Sequence, residues 1–477
     1  MGGSESVMRR LLLVLLLAQG ATSIDAQLED LWRDKSVTSA SRSTDGEFLR
    51  RVTLDLTGTI PTEDELTAFL KKPDRAAKID ELLALPRCNA FLAECFSLSL
   101  YGFDDKFDTQ RGPLTVWLRG QFEKSEPYDR IVTRLLTASG GNDANPPANW
   151  VGRFLPNNQP EEIAVKVSRT FLGVRLGCAR CHDHPFDKWT QEDFYSFAAF
   201  FKATTRGYVA NGRVTIDDDL GRAKAAYKPA MLKKAAPPRF LNGAEPQTMA
   251  LRDEFALFLT SNRQFARAIA NRLWYHCFGR GIVHPIDNFS GKNPAVAPKL
   301  LEFLADEIIR LKFDVKAFLR LITNSKTYQL TSTGGDPVRE RLFAVAAVRP
   351  LTAAQSVSAL DRALQLDAAL GRDEAAKVRD RIGRYFMRNA AEEDLTNLFE
   401  FRETIGDVML RMTFDSQRIT GKGVFAQKLD VDRVYRILLC RAPSAKEKAA
   451  CEAFLKKATI DELFMTLLNS HEFSFNH

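Results

Sequence analysis

Cys178-Ala179-Arg180-Cys181-His182 is the stretch of this chain whose residue types and spacing point to a definite chemistry. Two thiols three positions apart, followed at once by a histidine, form the attachment pattern of c-type haem. The sulfurs make thioethers to the vinyl groups of one porphyrin edge, and the imidazole becomes an axial iron ligand. A second chemistry uses the same residues. Cys178, Cys181, His182 and His184 are all zinc-ligand types. Four ligands crowded between positions 178 and 184 would struggle to close a tetrahedron, so zinc needs outside help, from His276 or Cys277. A third reading is a Cys-x-x-Cys redox pair, which normally opens a helix after a strand, and no strand is expected ahead of Cys178.

If haem is held, His182 is the proximal ligand and a sixth ligand must come from the opposite face, which His184 cannot reach. His276 is the first candidate, with His284, Met231 and Met249 behind it; the plainer role for His276 is a hydrogen-bonded core histidine. Arg267, Asn271 and Arg272 share its helix and could hold an anion or a haem propionate, or equally form ion pairs. Asp183, Asp187 and Asp193 bracket the motif. A carboxylate pair can hydrolyse a glycoside, but acidic residues beside a turn more often cap it or orient a histidine. No catalytic residue is assigned. The sequence has no Gly-rich phosphate loop, nucleophile elbow or His-Glu-x-x-His.

The elements that must position the motif are legible. Thr190 with Asp193 forms a capping-box pattern, and Phe194, Phe197, Ala198 and Phe201 then recur at helical spacing. Upstream, Pro160-Glu161-Glu162 opens a helix whose Ile163, Val167, Phe171 and Val174 line one side, with Gly173 and Gly177 as stops. The motif therefore falls in a turn between two amphipathic helices.

At 477 residues the chain is too long for one small core, and its 45% hydrophobic content is that of a globular protein. The net charge of +7 is modest, and no basic cluster interleaves with aromatics, so nucleic acid is not an expected partner. Met8-Arg9-Arg10, the apolar run Leu11 to Ala18 and the small residues that follow read as a signal peptide over residues 1–26, with cleavage near Ala26. That run is too short to span a bilayer, and no later one is long enough, so no transmembrane segment is expected in the mature chain. The expected location is the periplasm or the exterior, where covalent haem attachment is completed in bacteria. Of seven cysteines, five remain outside the motif, and Cys88 with Cys95 or Cys440 with Cys451 could bridge there.

Along the chain, helices are expected at 45–57, from 62 to about 70, at 75–85, 91–100, 114–122 and 128–136, followed by a Gly/Pro/Asn loop at 140–149. Arg50-Arg51-Val52-x-Leu54-Asp55-Leu56-Thr57-Gly58-x-x-Pro61-Thr62, Ile79-Asp80-x-Leu82-Leu83, Leu135 to Gly140 and Cys178 to Asp187 together resemble the cytochrome-c-like domain of unknown function found in secreted planctomycete proteins (PSCyt, type two). Phe265 to Gly281, Pro285-Ile286-Asp287-Asn288-Phe289 and the tail Leu467 to His477 resemble the partner domain that follows it (PSD, type one). The resemblance implies a mainly helical extracytoplasmic protein with a Cys-x-x-Cys-His site suspected of carrying haem.

The expected fold is mainly α: a cytochrome-c-like domain at 27–205, an irregular Pro/Lys-containing segment at 206–246 with a short β-hairpin, and a helical partner domain at 247–477. Gly212 to Ile216 is the expected strand and Asp217-Asp218-Asp219 a charged turn. Haem c is the expected cofactor, held by Cys178, Cys181 and His182; the alternative is a secreted binding or assembly protein with zinc on the motif, using His182, His184 and His276. Either form would work with a redox or cell-envelope protein partner.

Overall fold

A computed structural model of the chain describes residues 23–101, 108–209, 213–389, 419 and 421–477. Among them the fold is mainly α, with five short strands. Local signals set most helix ends. Thr44 caps the Asp45–Thr57 helix with its hydroxyl on the Glu47 amide, and Gly58 stops it at φ 69°, where a side chain would also strike the Phe91 ring. Thr62 with Glu65 and Thr190 with Asp193 both close as capping boxes. The helices expected at 75–85 and 128–136 are found at Arg75–Ala84 and Tyr128–Leu136.

These helices do not pack into one body per half of the chain. A single core takes Phe48 and Trp150 from the N-terminal half together with Phe255, Trp274 and Phe318 from the C-terminal half. The stretches 27–205 and 247–477, expected as two domains, thus cover each other's apolar faces. The Arg263–Phe278 helix gives the reason: 13 of its 16 residues are buried, and a helix enclosed nearly all round needs neighbours on every side. A second, smaller core of Leu360, Leu364, Val434, Leu438 and Phe464 draws in Leu54 and Ile60 from the N-terminal half.

The segment expected as a linker is tied into the fold. Strands β2 (Thr204–Val209) and β3 (Arg213–Asp218) form the hairpin, and β1 (Gly140–Gly141), expected as loop, pairs antiparallel along the other side of β3. Gly212 lies outside the described residues. The acidic triplet is not a free turn. Asp217 and Asp218 end β3, Asp218 accepts from the buried Arg252 guanidinium at 2.8 Å, and Asp219 caps the Leu220–Lys224 helix. At the far end of the chain, β4 (Arg349–Pro350) pairs with β5 (Phe475–Asn476) and so docks the C-terminal tail.

The first helix covers 23–34 and starts ahead of the expected boundary at 26. Ile24 is fully buried, and the Asp25 carboxylate accepts from the amides of Lys326 and Thr327 and from the Thr327 hydroxyl, each at 2.9 Å. Residues 1–22, with the charged and apolar part of the expected signal peptide, lie outside the described residues. Among the described residues no helix is long and apolar enough to cross a membrane. All seven cysteines are free thiols. Cys88 and Cys95 lie on one helix, Pro86–Tyr101, seven residues and about 10 Å apart along its axis, beyond the reach of a disulfide.

Candidate functional site

The approach to the motif is an irregular helix end. The Glu161–Val167 helix widens into a π turn, Ser168–Leu172, which Gly173 stops at φ 65°. The 3₁₀ turn Leu176–Arg180 follows. Three residues per turn place positions i and i+3 on one face: Leu176 and Ala179 point inward and are fully buried, while Cys178 and Cys181 share the outer face and are exposed. At Gly177 the backbone lies so close to the preceding helix that a Cβ would sit 3.0 Å from a Val165 methyl. The two thiols are thus presented outward by a turn anchored from beneath.

His182 is exposed, with Nδ1 2.7 Å from its neighbour's carbonyl, Asp183 O. A carbonyl only accepts, so Nδ1 carries the proton and the lone pair stands on Nε2. His184 has the opposite arrangement: its Nδ1 accepts from the Phe186 amide at 3.1 Å, which leaves the proton of the neutral ring on Nε2. The loop closes through the His184 amide on Trp189 O at 2.8 Å. Each nearby carboxylate serves this local structure. Asp183 accepts from the Gln191 amide, Asp187 from the Lys188 amide, and Asp193 completes the Thr190 box. They form caps and turns, and no pair of them shares a partner suited to acid and base roles. Phe186 is 62% exposed with the Lys292 ammonium 4.8 Å over its ring, and the Trp189 indole N–H is buried without a hydrogen-bond partner.

His276 is not brought to this turn. It is buried in the Arg263–Phe278 helix with Nε2 2.7 Å from Asp55 O and its ring against Phe91, and burial lowers its pKa. It is the hydrogen-bonded core histidine of the plainer reading, and the adjacent Cys277 is buried too. Among the described residues no group of three or more His, Cys, Asp and Glu side chains could hold a metal ion. The other sixth-ligand candidates are scattered: His284 stacks on Tyr275, and Met231 and Met249 are about half exposed. Arg267 pairs with Glu302 at 2.7 Å, Asn271 bonds the Val283 backbone, and Arg272 is buried against Ser99 and Thr170 O.

What spacing alone missed is a buried polar hub on the Asp45–Thr57 helix. The Asp55 carboxylate accepts from Arg349 at 2.7 and 2.8 Å, from the Tyr328 hydroxyl at 2.8 Å and from the Asn476 amide at 2.8 Å. Arg50, fully buried, has no carboxylate partner among the described residues; it donates to Leu438 O and Phe473 O, carbonyls at helix ends that carry partial negative charge. Arg51 holds Glu47, Tyr328 O and Leu330 O. Lys166 was missed as well: its ammonium meets Ser99 O at 3.1 Å, and burial, with Arg272 nearby, lowers its pKa to about 7. The signal for the hub was Arg50, Arg51 and Asp55 set among Phe48, Leu49, Val52, Leu54 and Leu56, charges that a stripe count leaves as surface.

Two outward thiols on one face of a turn, with an imidazole beside them whose Nε2 bears the lone pair, form a donor set that suits covalently held haem. The set suits zinc less well, because among the described residues no group of three or more His, Cys, Asp and Glu side chains assembles around it. Residues 23–206 match the family model PSCyt2, protein of unknown function (DUF1549), and residues 251–402 match PSD1, protein of unknown function (DUF1553). No curated protein and no solved structure matches the chain.

Proposed function

The chain belongs to the proteins in which a PSCyt2 domain is followed by a PSD1 domain, and on that footing we propose that it is an extracytoplasmic haem c protein of electron transfer or redox chemistry. One observation carries the reading: Cys178 and Cys181 are exposed free thiols on one face of a turn, and the next residue is a histidine with Nε2 free to ligate. Haem, when bound, supplies one-electron exchange. The chain's own part is to hold it. Cys178 and Cys181 would anchor the porphyrin edge, His182 would ligate through Nε2, and the Asp183 carbonyl would fix the ring's tautomer and orientation by accepting from Nδ1–H, as outer partners of ligating histidines do. The exposed turn suits exchange with a redox or cell-envelope protein partner. The charged and apolar start of the chain supports export to the periplasm or beyond.

The test is expression with the leader intact in a host that attaches haem to a control cytochrome. A Soret band and an intact mass of polypeptide plus one haem are expected, both lost in Cys178→Ser with Cys181→Ser. A mass equal to the bare polypeptide, from cells that decorate the control, overturns the reading.

A further inference from the structure

The end of the π turn that leads to the motif is held by the other family's domain. A helix end leaves carbonyls without intrahelical partners, and here three of them, Thr170 O, Leu172 O and Gly173 O, accept from Arg272 at 3.0 Å, Gln264 at 2.8 Å and the Phe289 amide at 2.8 Å. All three donors lie between residues 251 and 402, in the PSD1 match. Arg169, within that turn, and Arg175, at the start of the next one, both reach one carboxylate, Asp287, whose side chain has no exposure. Arg169 donates to Asp287 Oδ2 at 2.7 and 3.1 Å; Arg175 donates to Oδ1 at 2.8 Å and to Oδ2 at 3.1 Å. Burial would push the Asp287 carboxyl up, but the two guanidiniums more than offset it and hold it below its ordinary value. Gly173 allows the close approach: a Cβ there would lie 2.6 Å from the Phe289 ring.

We infer that the PSD1 domain is the frame that fixes the shape of the motif-bearing segment, with Asp287 as a positioning residue that draws Arg169 and Arg175 together and so sets where the turn of Cys178 and Cys181 begins. Arg175 is the residue from which the Leu176–Arg180 turn starts. The two domains then occur on one chain because the first cannot hold its motif in place without the second. Where haem enters the test, the inference rests on the function proposed above; the backbone part does not.

The experiment uses the full chain. Hydrogen exchange is followed peptide by peptide in Asp287→Asn, and the haem-bearing fraction is read by intact mass. Exchange over 168–182 is expected to quicken tenfold or more while the Asp45–Thr57 and Val431–Leu439 helices keep their rates, and the haem-bearing fraction to fall threefold or more. A general stabilising role would loosen those helices too. Unchanged exchange over 168–182 overturns the inference. Should Asp287→Asn loosen the whole chain, Arg175→Gln, which leaves Asp287 paired with Arg169, decides by the same two outcomes, with Arg175→Lys falling between it and the native chain. A native chain of bare polypeptide mass would sink the haem reading and leave the exchange result standing.

Discussion

The motif turn and the Asp55 hub are built from similar residue types, and they put them to opposite use. In the turn, His182, Asp183 and Asp187 bond within eight residues of themselves and lie at the surface. In the hub, Arg50, Arg51 and Asp55 are buried and bond across the whole chain. A buried ion costs several kcal/mol to desolvate and stays only where its charge is offset by close partners. An exposed thiol or imidazole has no such demand and is left available to a ligand. Both regions contain family-signature residues, so a signature residue is evidence of function only after its burial and partners are known.

This contrast can be broken in four ways, the largest expected effect first. Asp55→Asn leaves the partly buried Arg349 guanidinium against a neutral partner, and removing the buried member of such a pair costs up to about 3–5 kcal/mol. Urea unfolding measures it, and a loss under about 1 kcal/mol would reduce the hub to the standing of a surface pair. Next is the start of the chain. A chain beginning at Gln27 lacks buried Ile24 and the three hydrogen bonds accepted by Asp25, and should be about 2–4 kcal/mol less stable than one beginning at Ser23. If export removes a leader, terminal sequencing of the mature protein should find a cut ahead of Ile24; a cut after Ala26 in a stably folded protein would contradict the placement of that helix.

The third test is pH. Burial lowers the pKa of His276, and burial, with Arg50 nearby, lowers that of His477 from 6.5 to about 4. The unfolded chain therefore takes up protons that the folded one refuses. Stability from these groups is full above about 6.5, falls as pH drops below it, and for His477 stops falling once pH passes about 4. His477→Gln should flatten part of the decline in urea midpoint between neutral and acid pH, and an unaltered slope would remove His477 from the account. Last, in the chain without haem, Cys178→Ser and Cys181→Ser should shift unfolding by no more than about 0.5 kcal/mol, since both side chains are exposed. A larger change would mean that the thiols hold the turn together rather than stand free of it.

Much of the local structure was legible before any coordinates. The Asp45–Thr57 and Tyr128–Leu136 helices fall on their expected bounds, and the Thr62 and Thr190 boxes close as their spacing predicts. Ile163, Val167, Phe171 and Val174 are all buried. The π turn within that stretch was not legible, because Ile163, Val167 and Phe171 recur every four residues, a spacing that an α-helix and a widened turn both allow. The Pro/Lys-rich segment at 206–246 was legible from composition, but the core shared by the stretches on either side of it was not, since composition does not say what packs across a segment. Nor could seven cysteines in a row of letters reveal that all would be free thiols.

Sequence by itself determined the helices, their caps and the Cys-x-x-Cys-His frame, because each depends on residues a few positions apart whose geometry the backbone fixes. Tertiary structure alone decided which polar residues would be spent on the fold. Asp55 finds Tyr328, Arg349 and Asn476 at separations of 273, 294 and 421 residues, and Asp287 meets Arg169 and Arg175 across 118 and 112. Over such distances no spacing rule acts. Partners are selected by the need to leave no buried charge unpaired, and that need arises only once the helices have closed around it.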